Sequence, residues 1–319
     1  MSDDGTSPPG MTRAGQSRPQ SEAAAQLFMN VRQLAGYLQI NEKKIYALAN
    51  DGRLPGTKIT GKWLFPKSLI DDWLIESSHG GLLADRLVIA GSEDPLLNRL
   101  IVDLTQEYKS RALISHSATG TPAGLALLAR RRIDVCCLHW GSVEDSTTRH
   151  ANLIRSYPDS AQWLILRLCQ REQGFMLAPA FDEQAVGIAD LFDQRWRWVL
   201  PTEGCGSRRF LEDLSALHGL DTQRLNISAI LQTERELASL IARDQADIAP
   251  GPRSIASEFG LRFLPTGWEA FDMVLTRAVY FRYLFQAILD GMKHPGILAM
   301  AQELGGYRFK QLGRIIWTP

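Results

Sequence analysis

The first stretch of the chain, MSDDGTSPPGMTRAGQSRPQSEAAA, has no periodic apolar pattern, and residues 1–25 are expected to form a disordered tail. Periodicity begins after it. Val31, Leu34, Ala35 and Leu38 recur at helical spacing behind Asn30, a suitable N-cap, and Ile45, Leu48 and Ala49 resume the period after a break at Ile40-Asn41. DGRLPG then reads as a turn and TKITGKWLF as two short strands around Gly61. Pro66 opens a last helix that should end near Trp73-Leu74. The order over 26–76 is helix, turn, helix, small hairpin, helix. SSHGGL falls in an expected linker, 77–84.

From residue 85 to 319 short apolar runs alternate with amphipathic stretches. RLVIAGS, ALISHSAT, DVCCLHW, WLILRLC, GFMLAP, WRWVLP, ADIAPG and FDMVLT are strand candidates. PLLNRLIVDLTQEY, PAGLALLARRR, SRRFLEDLSALHGL, ERELASLIARD and RSIASEFG read as helices. This alternation predicts an α/β fold with parallel sheets. Two such sheets, with loops at their strand C-termini, would leave a ligand cleft between two lobes.

Composition adds limits. A chain of 319 residues has room for about two domains. Lys+Arg and Asp+Glu are both 35, so no global charge points to nucleic acid, yet 43–67 holds Lys43, Lys44, Arg53, Lys58, Lys62 and Lys67 against the single acid Asp51. No stretch is long and apolar enough for a membrane helix, and the N-terminus lacks a signal-peptide core, so a cytoplasmic protein is expected. Cys136, Cys137, Cys169 and Cys205 show no C-x-x-C spacing; they suggest neither a zinc site nor a disulfide framework, and three read as core packing. No metal site and no cofactor are expected.

The first module resembles the excisionase-type, MerR-related winged helix-turn-helix. The matching text is V-R-Q-L-A-x-Y-L-x-I-N-x-x-x-I-Y-x-L for two helices, G-R-L-P-G-T-K-I-x-G-K-W-L-F for a wing and P-x-x-x-I-D-D-W-L for the last helix. The resemblance implies double-stranded DNA as partner. Asn41, Lys43, Lys44 and Tyr46 would be presented by a helix in the major groove, with Arg53, Lys58 and Lys62 reaching phosphates from the wing side. Trp63 reads better as wing packing than as a base contact.

The second module resembles the periplasmic-binding-protein-like domain fused to such DNA-binding modules in bacterial regulators. The text that carries this is LVIAGSEDPLL, SATGTPAGLALLARRRIDVCCLHW, REQGFMLAP, TEGCGSRRFLEDL, ERELASLIARDQADIAPGPRSIA and FDMVLT. Relatives include molybdate and tungstate binders, which makes such an oxyanion, or a small organic anion, the implied effector. On this basis Ser92, Ser117, Thr119, Gly120, Thr121, His139, Gly206, Ser207 and Arg208 are expected to line an anion pocket of hydroxyls, helix N-termini and a cation. Each has a plainer reading. Ser92 and Thr121 make good N-caps, Arg208 can pair with Glu212 at i,i+4, and His139 can be a satisfied strand-end histidine. Cys205 can touch ligand, fill the turn or sense redox. Glu234 and Glu236 read as first-turn acids that suit the helix dipole.

The expected function is therefore a ligand-responsive, homodimeric transcriptional regulator and no enzyme, since nucleophile-elbow, metal-spaced histidine and phosphate-loop motifs are lacking. The alternatives are an excisionase-like DNA-architectural accessory protein and an enzyme acting on a small solute.

Overall fold

The computed structural model describes residues 27–51, 54–78, 86–181 and 187–319. The expected tail, most of the expected linker and Arg53 lie outside these residues. The chain divides into two compact units between Ser78 and His79.

The first unit runs β1 (Phe28–Met29), α1 (Val31–Leu38), α2 (Glu42–Asn50), β2 (Thr57–Ile59), β3 (Lys62–Pro66) and α3 (Lys67–Ser78). Asn30 caps α1 in a reciprocal capping box with Gln33. Asn41 caps α2 by accepting from Lys44 N at 2.8 Å. β2 and β3 pair antiparallel through a two-residue turn in which Thr60 and Gly61 both have positive φ, the geometry that matches the twist of a hairpin. β1 adds to the other side of β3. Leu34, Ile45, Phe65 and Ile70 are fully buried between these elements. The last helix runs four residues beyond Leu74, into the first two positions of the expected linker.

In the second unit, β4 (Arg86–Gly91), α4 (Pro95–Tyr108), β5 (Leu113–Ala118), α5 (Thr121–Ala129), β6 (Val135–Leu138) and α6 (Ser146–Arg155) begin one lobe, and β7 (Trp163–Leu177) leads out of it. The other lobe holds α7 (Ile188–Leu191), β8 (Arg197–Pro201), α8 (Gly206–His218), β9 (Asn226–Leu231), α9 (Glu234–Ala242), β10 (Ile248–Pro252) and α10 (Arg253–Glu258). β11 (Arg262–Thr276) returns to the first lobe. There α11 (Arg277–Tyr280), α12 (Tyr283–Gly291), α13 (Pro295–Leu304), β12 (Tyr307–Arg308) and β13 (Ile315–Trp317) complete the chain.

All these strands belong to one sheet, in the order β5-β4-β6-β11-β7-β10-β8-β9, with β12 and β13 also on β7. Pairing is parallel where β4 meets β5 and β6 and where β8 meets β9 and β10, as the alternation of apolar runs and helices predicts, while β6 on β11 and β10, β12 and β13 on β7 run antiparallel. Between the lobes it is antiparallel. β7 and β11 pair from Leu177↔Arg262 to Trp163↔Thr276, with register shifts at Pro265/Gly267 and Phe271/Asp272. The runs WLILRLC and GFMLAP, read from the sequence as two strands, are the ends of this single 15-residue strand. Edge strand β9 was not among the expected strands, and its Ile227 and Ile230 are exposed.

Candidate functional site

The C-terminal ends of β4, β5, β6, β8 and β9 converge. Gly91 has φ +116°, and a Cβ there would lie 2.1 Å from Cys137 O, so β4 can turn this tightly against β6 only with glycine. The turn lets Ser92 N donate to Cys137 O at 2.9 Å, while Gly91 O accepts from both Thr119 N and Gly120 N at 3.0 Å. The loops enclose a cavity of about 20 Å³, lined by Gly91, Ser92, Glu93, Ala118, Gly120, His139, Cys205, Gln232, Thr233 and Glu234. That is room for about one water molecule.

Behind the cavity stands a cluster of buried charge. Arg171, fully buried at the middle of β7, has its Nη2 2.6 Å from Glu269 Oε1 and donates from Nη1 to Glu93 O at 2.8 Å. Its Nη1 lies 3.5 Å from Asp94 and 3.9 Å from Glu234, so one guanidinium faces three carboxylates. Arg171 Nη2 also donates to His139 Nδ1 at 2.9 Å. Guanidinium has only donors, so Nδ1 accepts and the ring proton sits on Nε2. Burial, and then the Arg171 charge, push the His139 pKa down to about 3, and the ring is neutral. Burial followed by repulsion from Glu234 raises Glu93, and burial raises Glu269 against the pull of Arg171. His139 Nε2, Glu234 Oε2 and Glu269 Oε2 are buried without hydrogen-bond partners.

Of the nine expected ligand residues, Ser92, Gly120 and His139 line this cavity. Thr121 is buried behind Ser92, the two hydroxyls 3.1 Å apart. Thr119 Oγ1 accepts from Gly91 N at 3.1 Å and serves the turn itself. Ser117 is exposed on β5. Gly206 acts through its missing side chain: a Cβ there would meet His139 Cδ2 at 1.6 Å, so glycine is what makes room for the ring. Ser207 donates to Glu234 and accepts from Gln173 Nε2 at 3.1 Å. Arg208 does not line the cavity. Its Nε lies 3.4 Å from Glu212 Oε1, the i,i+4 pair on its own helix. The expected cation of the pocket is thus paired on its own helix, and Arg171 is a cation in contact with the lining residues Glu93, His139 and Glu234.

Glu93, Gln232 and Glu234 line the cavity without having been assigned to it from sequence, and Cys205, for which ligand contact was one of three readings, lines it too. The pair Glu234 and Glu236 divides its labour. Glu236 closes the capping box with Thr233, whereas Glu234 is buried beside His139, its Oε1 3.6 Å from Nε2. Burial drives the Cys205 thiol up to about 12, with Glu234 adding to the rise and the N–H groups of Ser207 and Arg208 opposing it. Cys136, Cys137 and Cys169 are buried in the core.

In the first unit, Lys43, Lys44 and Tyr46 are exposed on α2 and Lys58 and Lys62 on the hairpin, while Ile45 and Ala49 hold the opposite face in the core. Asn41 is also exposed, but its side chain is committed to the helix cap. Lys67 is withdrawn from the basic set, donating to Asp71 at 2.7 Å, where Tyr37 also donates. Trp63 is half-buried and stacks on Phe65, which fits wing packing. Among the described residues no helix is long and apolar enough to cross a membrane.

Comparison with known proteins agrees with this architecture. No curated protein matches the chain in sequence. A hydrogen-peroxide-bound OxyR mutant from Corynebacterium glutamicum is similar in structure at 12% identity, over 85% of this chain and 90% of that one, with a TM-score of 0.50. A putative phosphate ABC transporter substrate-binding protein with bound phosphate, from Clostridium perfringens, is similar at 11% identity, over 70% of this chain and 100% of that one, also at 0.50. At such identities the likeness concerns the fold alone. A helix-turn-helix domain model matches residues 28–78 and a PBP superfamily domain model matches 102–293, so the chain belongs to the PBP superfamily and carries a helix-turn-helix domain ahead of that fold.

Proposed function

We propose that the protein is a ligand-responsive transcriptional regulator, without enzymatic activity, whose first unit binds double-stranded DNA and whose second senses a small anionic solute. The observation that carries this reading is the union in one chain of a helix-turn-helix domain, with Lys43, Lys44, Lys58 and Lys62 exposed on it, and a two-lobed PBP domain with a cavity at its strand ends. The cations suit a phosphate backbone. A two-fold homodimer, reading paired half-sites, fits a DNA-binding unit of this small size.

An anionic effector is supported by two helix N-termini. Gly120 at α5 and Cys205 at α8 border the cavity and make no side-chain capping bond, whereas Asp94 caps α4 and Thr233 caps α9. Molybdate or tungstate suits such N–H groups, as does a small carboxylate. Glu93 and Glu234 in the same lining work against a bare dianion. A tetrahedral oxyanion also exceeds the present cavity, so its entry requires the lobes to part along β7 and β11. The test is selection of genomic DNA fragments by the full chain. Anisotropy titrations of the selected duplex follow, with molybdate, tungstate, phosphate or sulfate added. Preferential binding of one short sequence, with an affinity that one solute changes, is expected. Binding without sequence preference, indifferent to every solute, would overturn the reading in favour of a DNA-architectural role.

A further inference from the structure

Three kinds of side chain at the cavity can also ligate a metal ion. Two carboxylates line it, His139 offers it a buried ring nitrogen with no partner, and a thiol stands at its edge. One ring nitrogen of His139, Cys205 Sγ and a Glu234 oxygen all lie within 4.8 Å of one another. We propose that His139, Cys205 and Glu234 bind a divalent transition-metal ion of the zinc class.

Donor type selects the class of ion. One imidazole, one thiolate and one carboxylate suit a borderline-soft ion, whereas magnesium and calcium take oxygen ligands almost alone. Geometry agrees. Tetrahedral bonds of 2.0–2.3 Å place ligand atoms roughly 3.3–3.8 Å apart. The His139–Glu234 separation is already 3.6 Å, and the 4.8 Å limit on the set closes with a shift of about an ångström, within reach of a Cys205 rotamer change. Charge agrees as well. Arg171 faces the carboxylates of Glu269, Asp94 and Glu234 together, so a dication offsets an excess of buried carboxylate. The cavity, with room for about one water molecule, has the size of a single ion.

Proton bookkeeping closes. The Cys205 thiol releases its proton to solvent as the sulfur takes the ion. The His139 ring proton moves from Nε2 to Nδ1, where Glu269 Oε1, 4.0 Å away, is the acceptor once Arg171 gives up its bond to that nitrogen. Arg171 keeps its bonds to Glu269 and to Glu93 O. A carboxylate on the second nitrogen of a metal-bound histidine is the usual way the tautomer and ring plane are held. Three protein ligands leave a fourth position facing the cavity, which gives an anion a cation to meet where Arg208 does not.

The inference stands on this unit alone and needs no DNA. The full chain, stripped with a chelator, is titrated with Zn2+ by calorimetry and with Co2+ by absorption. One equivalent of Zn2+ and a thiolate-to-cobalt charge-transfer band are expected. Cys205→Ser should abolish the band, and both Cys205→Ser and Glu234→Gln should weaken Zn2+ by at least about 100-fold, the upper end of what losing an outer partner costs. Glu234 also accepts from Ser207, so its variant can lose folding. Cys205→Ser, whose thiol makes no capping bond, then decides. Absence of the cobalt band in the wild type, or unchanged Zn2+ affinity in a folded Cys205→Ser, would overturn the site. Such a chain could still respond to another solute on DNA, so the regulator reading would fail or stand on its own assay.

Discussion

The two units treat charge in opposite ways. Among its described residues, the helix-turn-helix unit leaves Lys43, Lys44, Lys58 and Lys62 in solvent with no carboxylate bonded to them, and pairs Lys67 with Asp71. The PBP unit takes Arg171, Glu269, Asp94 and Glu234 out of water and binds them to one another. Exposed cations cost the fold little and remain available to a polyanion. Buried charges must be satisfied by neighbours, so they hold a site together and are poorly placed to be exchanged. Function is therefore separable from stability in the first unit and entangled with it in the second.

The sharpest break of that contrast is Arg171→Met. It leaves Glu269, Asp94 and Glu234 buried without their cation, and a loss of about 3–5 kcal/mol is expected in chemical denaturation of the second unit. The double variant Arg171→Met with Glu269→Leu removes both members of the closest pair and should recover much of that loss. No recovery would mean that Asp94 and Glu234, rather than Glu269, depend on the guanidinium.

On the exposed side, Lys44→Ala and Lys62→Ala should leave the denaturation midpoint unchanged. Each should weaken DNA binding and lower the slope of log affinity against log salt by about 1. Unchanged affinity and slope in both variants, with folding intact, would show that these lysines are a solvated face.

Glu93→Gln probes the buried carboxylates with a change of sign. The folded pKa of Glu93 is raised by burial and by Glu234, so the folded chain binds the Glu93 proton more tightly than the unfolded chain. Folding is favoured below the unfolded value and loses stability as pH rises through the folded one. At pH 7 Glu93→Gln should be more stable than wild type, with the gap closing as pH falls to the ordinary carboxylate range. A constant gap across that range would assign the effect to packing.

How much of this was legible beforehand differs between the units for a physical reason. Asn30 and the Thr60-Gly61 turn act through local chemistry, so the helix-turn-helix order and its first cap could be read from neighbouring letters, whereas Asn41, expected at the groove, is committed to capping α2. In the PBP unit, helices such as Pro95–Tyr108 were equally legible. The site was less so, because its chemistry comes from long-range pairing. Arg171 meets Glu269 only because β7 lies against β11, and nothing near either residue announces the other. A signal did exist. Arg171 and Gln173 sit two apart on one strand, so they share a face, and an apolar strand with polar residues on one face has something polar to bury. Glu234 and Glu236 carried no such signal, since first-turn acids are ordinary and only burial tells which one turns inward.

Arg208 gives the smallest effect and the most direct comparison with Arg171. Arg208, in the turn GCGSRR, was the expected cation of the pocket, whereas Arg171 meets the cavity's residues from the interior of a strand. Arg208 is about four-fifths buried on its side-chain surface, at 19% exposure, yet Glu212 beside it is 42% exposed and the two are 3.4 Å apart. Solvent screens such a pair, and the order of charges, arginine before glutamate, is the less favourable one along a helix. Arg208→Ala should therefore cost no more than about 0.5 kcal/mol, the range of exposed i,i+4 pairs. Because the side chain stays off the cavity, solute binding by Arg208→Ala should match wild type in calorimetry. A loss of roughly tenfold or more, with the melting temperature unchanged, would mean that the arginine swings from Glu212 to the solute when the lobes part. The cation of the bound state would then differ from the cation of the closed structure.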